Sequence, residues 1–323
     1  MVLCEYPTYG STRVELCGLP VQSRNVMVTE NSHVRAAQIA MSLGEPSTVP
    51  PVITKALQTL KDPRYSSQDL ARLISMDHAV TARLIAMANT ACVDRSTALG
   101  TVGEAIMCLG HKNTQGILFA ASAYTALCRP VTLYGLGRDE LWRHSVTCAI
   151  SSRVIAREYG LWDPDEAYVV GLLHDIGLPA LERFVRRKSK VVDLIRTANY
   201  PPFIAEQMVL GFDHAYLGSL ICQNWQLTND LVVAISTHHE PLTREHPDVL
   251  PAITYLADTV SLMPELGVSS RRTSANVDPS VMEWLGLEPG DIDNVIPQIR
   301  AYLKQLGVRA DQMESVDPYW RPG

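Results

Sequence analysis

From about residue 33 onward, apolar positions recur three or four apart with polar positions between them, the spacing that buries one face of a helix. "STVPPVITKALQTLKDP" opens on two prolines suited to a helix entrance, and Val52, Ile53, Ala56, Leu57 and Leu60 follow at helical spacing. "YSSQDLARLIS" sets Ser66 three residues ahead of Asp69, a capping-box-like start with Asp in place of Glu, before the stripe Leu70, Leu73 and Ile74. "MDHAVTARLIAMANTA" takes Asp77 as its N-cap and turns Val80, Leu84, Ile85 and Ala88 inward. A helical pair punctuated by Gly110 follows in "TVGEAIMCLGHKNTQGILFAASAYTAL". Together these helices predict a first packed unit over 33–137.

A second helical unit is expected over 138–264. Its helices start near Asp139, Asp163–Pro164, Asp213 and Asn229; "LVVAISTHHEP" is stopped by Pro241, and "PAITYLADTVSLMP" is bracketed by Pro251 and Pro264. "SVMEWLGL" and "DIDNVIPQIRAYLKQLGV" predict a final amphipathic pair within 265–323 that packs on the second unit. Residues 1–32 carry only a weak strand-like pattern near 12–28 and stay unassigned. With no strand series and no repeat, the fold class read from the pattern is all-α, as two packed helical subdomains.

Composition agrees and excludes some functions. The 323 residues suffice for two domains, and 46% hydrophobic with 19% charged residues is a globular balance. A net charge of −6 argues against a sequence-independent nucleic-acid binder, which needs a basic surface. No apolar segment is long enough to span a bilayer, and the first twenty residues lack the build of a signal peptide, so no membrane partner is expected. The seven cysteines (4, 17, 92, 108, 128, 148 and 222) are scattered and form no CxxC pair. Read as free thiols acting as small core residues, they predict a reducing, cytoplasmic setting.

Polar groups inside apolar runs change the picture more. "VVGLLHDIGLPAL", residues 169–181, reads as one helix-like run with His174 and Asp175 side by side in its middle. On a continuous helix two consecutive side chains point about 100° apart, so they share a site only at the helix edge or if one of them bridges. Buried there, both need partners, because an unpaired charge in apolar surroundings costs several kcal/mol or more, as an order of magnitude. His144 lies one turn after Glu140 on the same face. His214 shares a face with Gly218, Ile221 and Trp225; His238 and His239 end a helix; Asp258 sits among Leu256, Ala257 and Val260. Each alone has an ordinary reading: a hydrogen-bonded core histidine, a helix-end cation, a cap or half of an ion pair. Together they offer imidazole and carboxylate ligands for zinc, iron or manganese, with a carboxylate able to bridge two ions.

The order His144, His174–Asp175, Asp258 resembles the H…HD…D pattern of the HD superfamily of metal-dependent phosphohydrolases. More narrowly, the chain resembles the HDOD (HD-related output domain) family of bacterial signalling proteins. The resemblance runs in order through "VPPVITKALQTLKDP", "SSQDLARLISMDHAVTARLIAMANTA", "VGEAIMCLG", "LWRHSVTCAI", "DEAYVVGLLHDIG", "GFDHAYLGSLICQNWQL" and "AISTHHEP", covering about 44–260. It implies an all-helical regulatory module, usually non-catalytic, that works through protein partners in a signalling pathway, its second unit being an HD-type helical bundle. No receiver or cyclase domain is visible, so a stand-alone form is expected. The HD-GYP relatives, cyclic-dinucleotide phosphodiesterases, place metal ligands at positions corresponding to His144, His174, Asp175, His214, His238, His239 and Asp258, with Glu140 matching an additional ligand.

Two departures stand against full catalytic competence. The active enzymes follow HDIG with a Lys that contacts phosphate, where this chain has Leu178, and no GYP follows "HHEP". The resemblance therefore implies a regulatory protein that retains a divalent-metal site. The alternative is a phosphohydrolase for a nucleotide or cyclic dinucleotide, in which Asp175 bridges the ions and orients the attacking water. There the basic run "RFVRRKSK", 183–190, would attract phosphate; otherwise it is a solvated helix end. A third reading uses the same cavity to sense a nucleotide ligand or redox state without turnover.

Overall fold

The computed structural model describes residues 30–43, 51–60, 62, 64–92, 97–185, 190–197, 200–263, 266 and 277–305. Among them the regular structure is helical, with a single isolated bridge between Val131 and Leu136, so the fold is all-α as the periodicity predicts. Among the described residues no helix is long and apolar enough to cross a membrane. The pattern near 12–28, with Cys4 and Cys17, lies outside the described residues.

The helices are α1 (Glu30–Leu43), α2 (Pro51–Leu60), α3 (Ser67–Ile74), α4 (His78–Ala91) and α5 (Val102–Leu127), then α6 (Glu140–Glu158), α7 (Pro164–Leu173), α8 (Gly177–Phe184), α9 (Lys190–Thr197) and α10 (Pro202–Leu210). They continue as α11 (His214–Asn224), α12 (Asn229–Thr237), α13 (Val249–Ser261), α14 (Pro279–Leu285) and α15 (Pro289–Gln305). In the first unit α2, α3 and α4 pack on the long α5. Asp77 caps α4 as expected, accepting from the amides of Ala79 and Val80. Ser66 caps α3 through the Gln68 amide, but Asp69 turns to Arg72 instead of completing a box. The reciprocal box forms at Thr101, where the longer Glu104 reaches back to the Thr101 amide. The expected helical pair around Gly110 is present: α5 is two helices meeting at a kink, where the glycine holds a non-helical φ of 72° and ψ of 177°.

The reading of the cysteines as free thiols is corrected at one pair. Cys92 ends α4, and the packing of α4 on α5 brings it to Cys108 with Cα atoms 6.6 Å apart, where the two form a disulfide. Cys128, Cys148 and Cys222 are free.

The second unit is built on the α6–α7 pair. A Cβ on Gly171 would come within 2.8 Å of the Ala149 backbone, so this glycine sets how closely the two helices approach. On this pair pack α13 and α12, with α11 against α12 and α8, while α15 lies against α6. The units meet where α5 crosses α7, with Gly116 against Val169, the hydroxyls of Thr90 and Tyr168 hydrogen-bonded, and Phe119 stacked on Trp225 at 4.6 Å. The sequence groups α1 with the first unit, yet α1 lies against α11 and α8, with His33 Nδ1 2.9 Å from the Tyr216 hydroxyl. The two units are joined by a connector after α5 that holds the 3-10 turn Thr132–Tyr134.

Candidate metal centre

The run 169–181 is not one helix, and this corrects the expectation of a His–Asp pair in mid-helix. α7 ends at Leu173, residues 174–176 form a turn, and α8 begins at Gly177. His174 caps α7, its Nδ1 donating to the Gly171 carbonyl at 2.8 Å, one of the carbonyls a helix end leaves without a partner. The turn closes through Ile176 N to Leu173 O and Leu178 N to Asp175 O, both 3.0 Å. Across this turn His174 Nε2 comes to 3.3 Å from Asp175 Oδ2. A Cβ on Gly177 would collide with the His214 carbonyl oxygen, so a residue without a side chain is what lets α8 start against the first turn of α11.

The remaining ligands come from helix ends and inward faces. His144 lies on α6, His214 opens α11 behind its cap Asp213, His238 caps the end of α12 with His239 next to it, and Asp258 lies on α13. His144 Nε2 is 3.2 Å from both His174 Nε2 and Asp258 Oδ1, and 3.5 Å from Asp175 Oδ2. On the other side, Asp175 Oδ1 is 3.3 Å from His214 Nε2 and 4.0 Å from His238 Nε2, while His214 and His239 meet at 2.8 Å through Nε2. All seven residues singled out from the sequence are brought together, and their donor atoms fall into overlapping sets spanning no more than 4.8 Å: His144, His174, Asp258; His174, Asp175, His238; and His214, His238, His239. Glu140 belongs to none of these sets; it is buried, and its carboxylate accepts from the Gly137 amide at the start of α6. Leu178 is buried in the core. Of the basic run, Arg183 and Lys190 are exposed, and residues 186–189 lie outside the described residues.

The hydrogen bonds fix where the imidazole protons are. A carbonyl only accepts, so His174 carries its proton on Nδ1 toward Gly171, and His238 carries its own on Nδ1 toward Ile235 O at 2.7 Å. His214 Nδ1 donates to Glu206 Oε2 at 2.7 Å. Ser261 spends its hydroxyl proton on Asp258 O and so accepts from His144 Nδ1 at 3.1 Å. All four rings therefore aim Nε2 at the centre, beside two carboxylates that also only accept. His238 Nε2 is buried and has no hydrogen-bond partner. A buried centre made of acceptors needs positive charge, which protons or a cation can supply.

The titration pattern shows how protons fill that role. Burial disfavours charge on His174, yet the adjacent Asp175 carboxylate lifts its pKa well above the ordinary imidazole value. Burial acts likewise on His214, and Glu206 and Asp175 override it. Burial, with charged His174 nearby, pushes His238 down to about 4, and burial with His238 and His214 pushes His239 well below the usual range. Asp175 sits well below the carboxylate range because His174 and His214 outweigh its burial, and His144 lowers Asp258 in the same way. Imidazole and carboxylate at these spacings fit zinc, iron or manganese. The centre is largely closed: Asp258 and His144 keep only 20% and 12% of their side chains exposed, and Phe203 stacks on the half-buried His239 at 4.6 Å from the α10 side.

Three contributors were not singled out from the sequence: Ser261, Glu206 and Tyr134. Glu206 is fully buried on α10, and Tyr134 donates to its Oε1 at 2.5 Å. A sequence signal existed, since Glu206 is the one charged residue in "PPFIAEQMVLGF". Ser261 follows Asp258 by three residues and so shares its helix face.

Comparison with known proteins agrees with this architecture. A curated protein from Treponema pallidum (strain Nichols), uncharacterized, is 23% identical over 225 residues, 68% of this chain, and the chain spans 42% of that relative's length. A solved structure of a candidate phosphohydrolase from Shewanella amazonensis SB2B is similar with TM-score 0.64 and 21% identity, over 86% of this chain and 98% of that one. An HDOD domain protein from Geobacter sulfurreducens is similar at 0.56 and 23%, over 85% and 99%. A candidate signal transduction protein from Marinobacter aquaeolei VT8 is similar at 0.61 and 17%, over 90% and 68%. The HDOD domain family matches residues 47–241. On that match the chain belongs to the HDOD domain family.

Proposed function

We propose that this protein is a regulatory signalling module built around a closed two-ion metal centre, and that the centre serves the state of the helical bundle rather than turnover. The observation that carries the reading is the partnerless Nε2 of His238, a buried lone pair beside the rings of His174 and His214, whose Nδ1 protons are both spent outward. One ion is held by His144, His174 and Asp258, the other by His214, His238 and His239, with Asp175 between them. A divalent ion supplies, when bound, the positive charge this centre needs, and ties together the ends and faces of α6, α7, α11, α12 and α13. The signal then leaves through helical surfaces that contact protein partners.

The ligand set also suits a phosphohydrolase acting on a nucleotide or cyclic dinucleotide, since Asp175 turns one oxygen to each half of the centre. The similarity to a structure named for that activity favours the same reading. Against it stand Leu178, apolar and buried where the active relatives place a phosphate-contacting lysine, and the small exposure of the ligands. Metal analysis of the purified protein, paired with phosphodiesterase assays on cyclic dinucleotides and simple phosphoesters, separates the readings. Bound metal without turnover is expected. Turnover that vanishes in Asp175→Ala while the fold persists would overturn the non-catalytic reading, and absence of metal from every preparation would overturn both.

A further inference from the structure

α10 presents two residues one turn apart, Phe203 and Glu206, to the two histidines that meet at 2.8 Å. Phe203 stacks on the His239 ring, and Glu206 accepts from both the backbone amide and Nδ1 of His214, each at 2.7 Å. The other oxygen of Glu206 accepts from Tyr134. Tyr134 belongs to the short turn in the connector between the helical units, whose neighbours Thr132 and Leu133 are held by Glu182 of α8 at 2.6 and 2.8 Å. No other imidazole aimed at the centre with a described Nδ1 partner is held by a carboxylate; the others use a carbonyl or a hydroxyl.

We propose that Glu206, held by Tyr134, is the positioning residue of the metal centre: it fixes His214 with Nδ1 protonated and Nε2 offered as ligand, and thereby couples ion binding to the connector between the two helical units. This rests on the metal reading above. A carboxylate behind a ligating histidine fixes the ring and raises its basicity, and its loss typically costs about 10- to 100-fold in metal affinity. Coupling of this kind is reciprocal, so an ion that gains from the Tyr134–Glu206 bond must also hold the connector turn more firmly.

Glutamine is the informative replacement. Its carbonyl oxygen can take both His214 protons and its amide can face Tyr134, so Glu206→Gln keeps the shape and removes the charge. The test is zinc titration of the chelator-stripped full chain against a competing chelator, with hydrogen exchange at the amides of Leu133, Tyr134 and Leu136. In Glu206→Gln, zinc affinity is expected to fall by about 10- to 100-fold. Tyr134→Phe should weaken binding in the same direction, and Glu182→Gln, which loosens the same turn without touching Glu206 or His214, should weaken it less than either. Zinc should slow exchange at the turn in the wild type and lose that effect in Glu206→Gln. Wild-type affinity in Glu206→Gln, or an equal loss in Glu182→Gln, overturns the proposal while leaving the metal reading intact. A wild type that takes up no zinc overturns both. Should Glu206→Gln fail to fold, the imidazole nitrogen resonances of the zinc-loaded wild type decide: Nε2 bound and Nδ1 protonated at His214 is expected, and zinc on Nδ1 overturns it.

Discussion

His214 and His239 face each other nitrogen to nitrogen, Nε2 to Nε2, at 2.8 Å. Two lone pairs at that distance repel, so a proton shared between them or an ion beside them must hold the contact. His214 is the ring that keeps the proton, lifted by Glu206 and Asp175 against its burial, and His239, held neutral, accepts the hydrogen bond from it. His144 and His174 repeat the arrangement at 3.2 Å on the other side of Asp175.

This two-sided geometry predicts a stoichiometry. Elemental analysis of protein reloaded with zinc or manganese should give two ions per chain, falling to one in His239→Ala or in His144→Ala, because each change strips only one half of the centre. Asp175→Ala, which removes the group between the halves, should bind neither ion tightly. Identical metal content in all four proteins would mean the ions sit elsewhere.

Leu178 should behave as core and nothing more. It is 5% exposed, and Leu178→Ala should destabilise the protein by about 2–5 kcal/mol through the cavity it leaves. Chemical denaturation measures that loss, and metal content should match the wild type. A variant of unchanged stability with altered metal binding would instead give this position a direct role at the centre.

How much of this was legible in the sequence follows from what each signal depends on. Asp77, Asp163 and Asp213 act within one turn of themselves, so their helix starts could be read directly. The seven ligands could be read because polar side chains in apolar runs demand partners. The break at His174 could not, because an apolar run looks the same whether it is one helix or two meeting at a turn. What decides is tertiary: the early start of α8 is set by contact with α11, some forty residues downstream by sequence. The same holds for Cys92 with Cys108, for α1 against α11, and for Glu206, whose partners Tyr134 and His214 come from other elements.

Gly177 tests that tertiary cause. The Cβ in Gly177→Ala would strike the His214 carbonyl, a backbone atom that moves only if α11 moves. Overpacking of this kind costs about 1–3 kcal/mol, and here it displaces a ligand as well, so both stability and zinc affinity should fall. Gly290→Ala is the matched control: nothing lies within 4 Å of its added Cβ, and the site is helical. That change should leave zinc binding alone and alter stability by no more than about 1 kcal/mol, in the stabilising direction. Equal denaturation midpoints for the two variants would show that the α8–α11 approach does not depend on the glycine.

The disulfide makes a separate prediction for the first unit. Cys92 and Cys108 are 16 residues apart, and closing a loop of that length restricts the unfolded chain by about 3 kcal/mol. Denaturation with and without a reductant should show a loss of that order, reproduced by Cys92→Ser and unaffected by reductant in that variant. Peptide mapping without reduction should recover the two cysteines linked. Zinc affinity should be the same in both redox forms, because the bond joins α4 to α5 and no metal ligand lies on either helix. A reduced protein as stable as the oxidised one would show that the α4–α5 packing alone holds these helices together. In that case Cys92 and Cys108 would be the small core residues that the helical pattern first suggests.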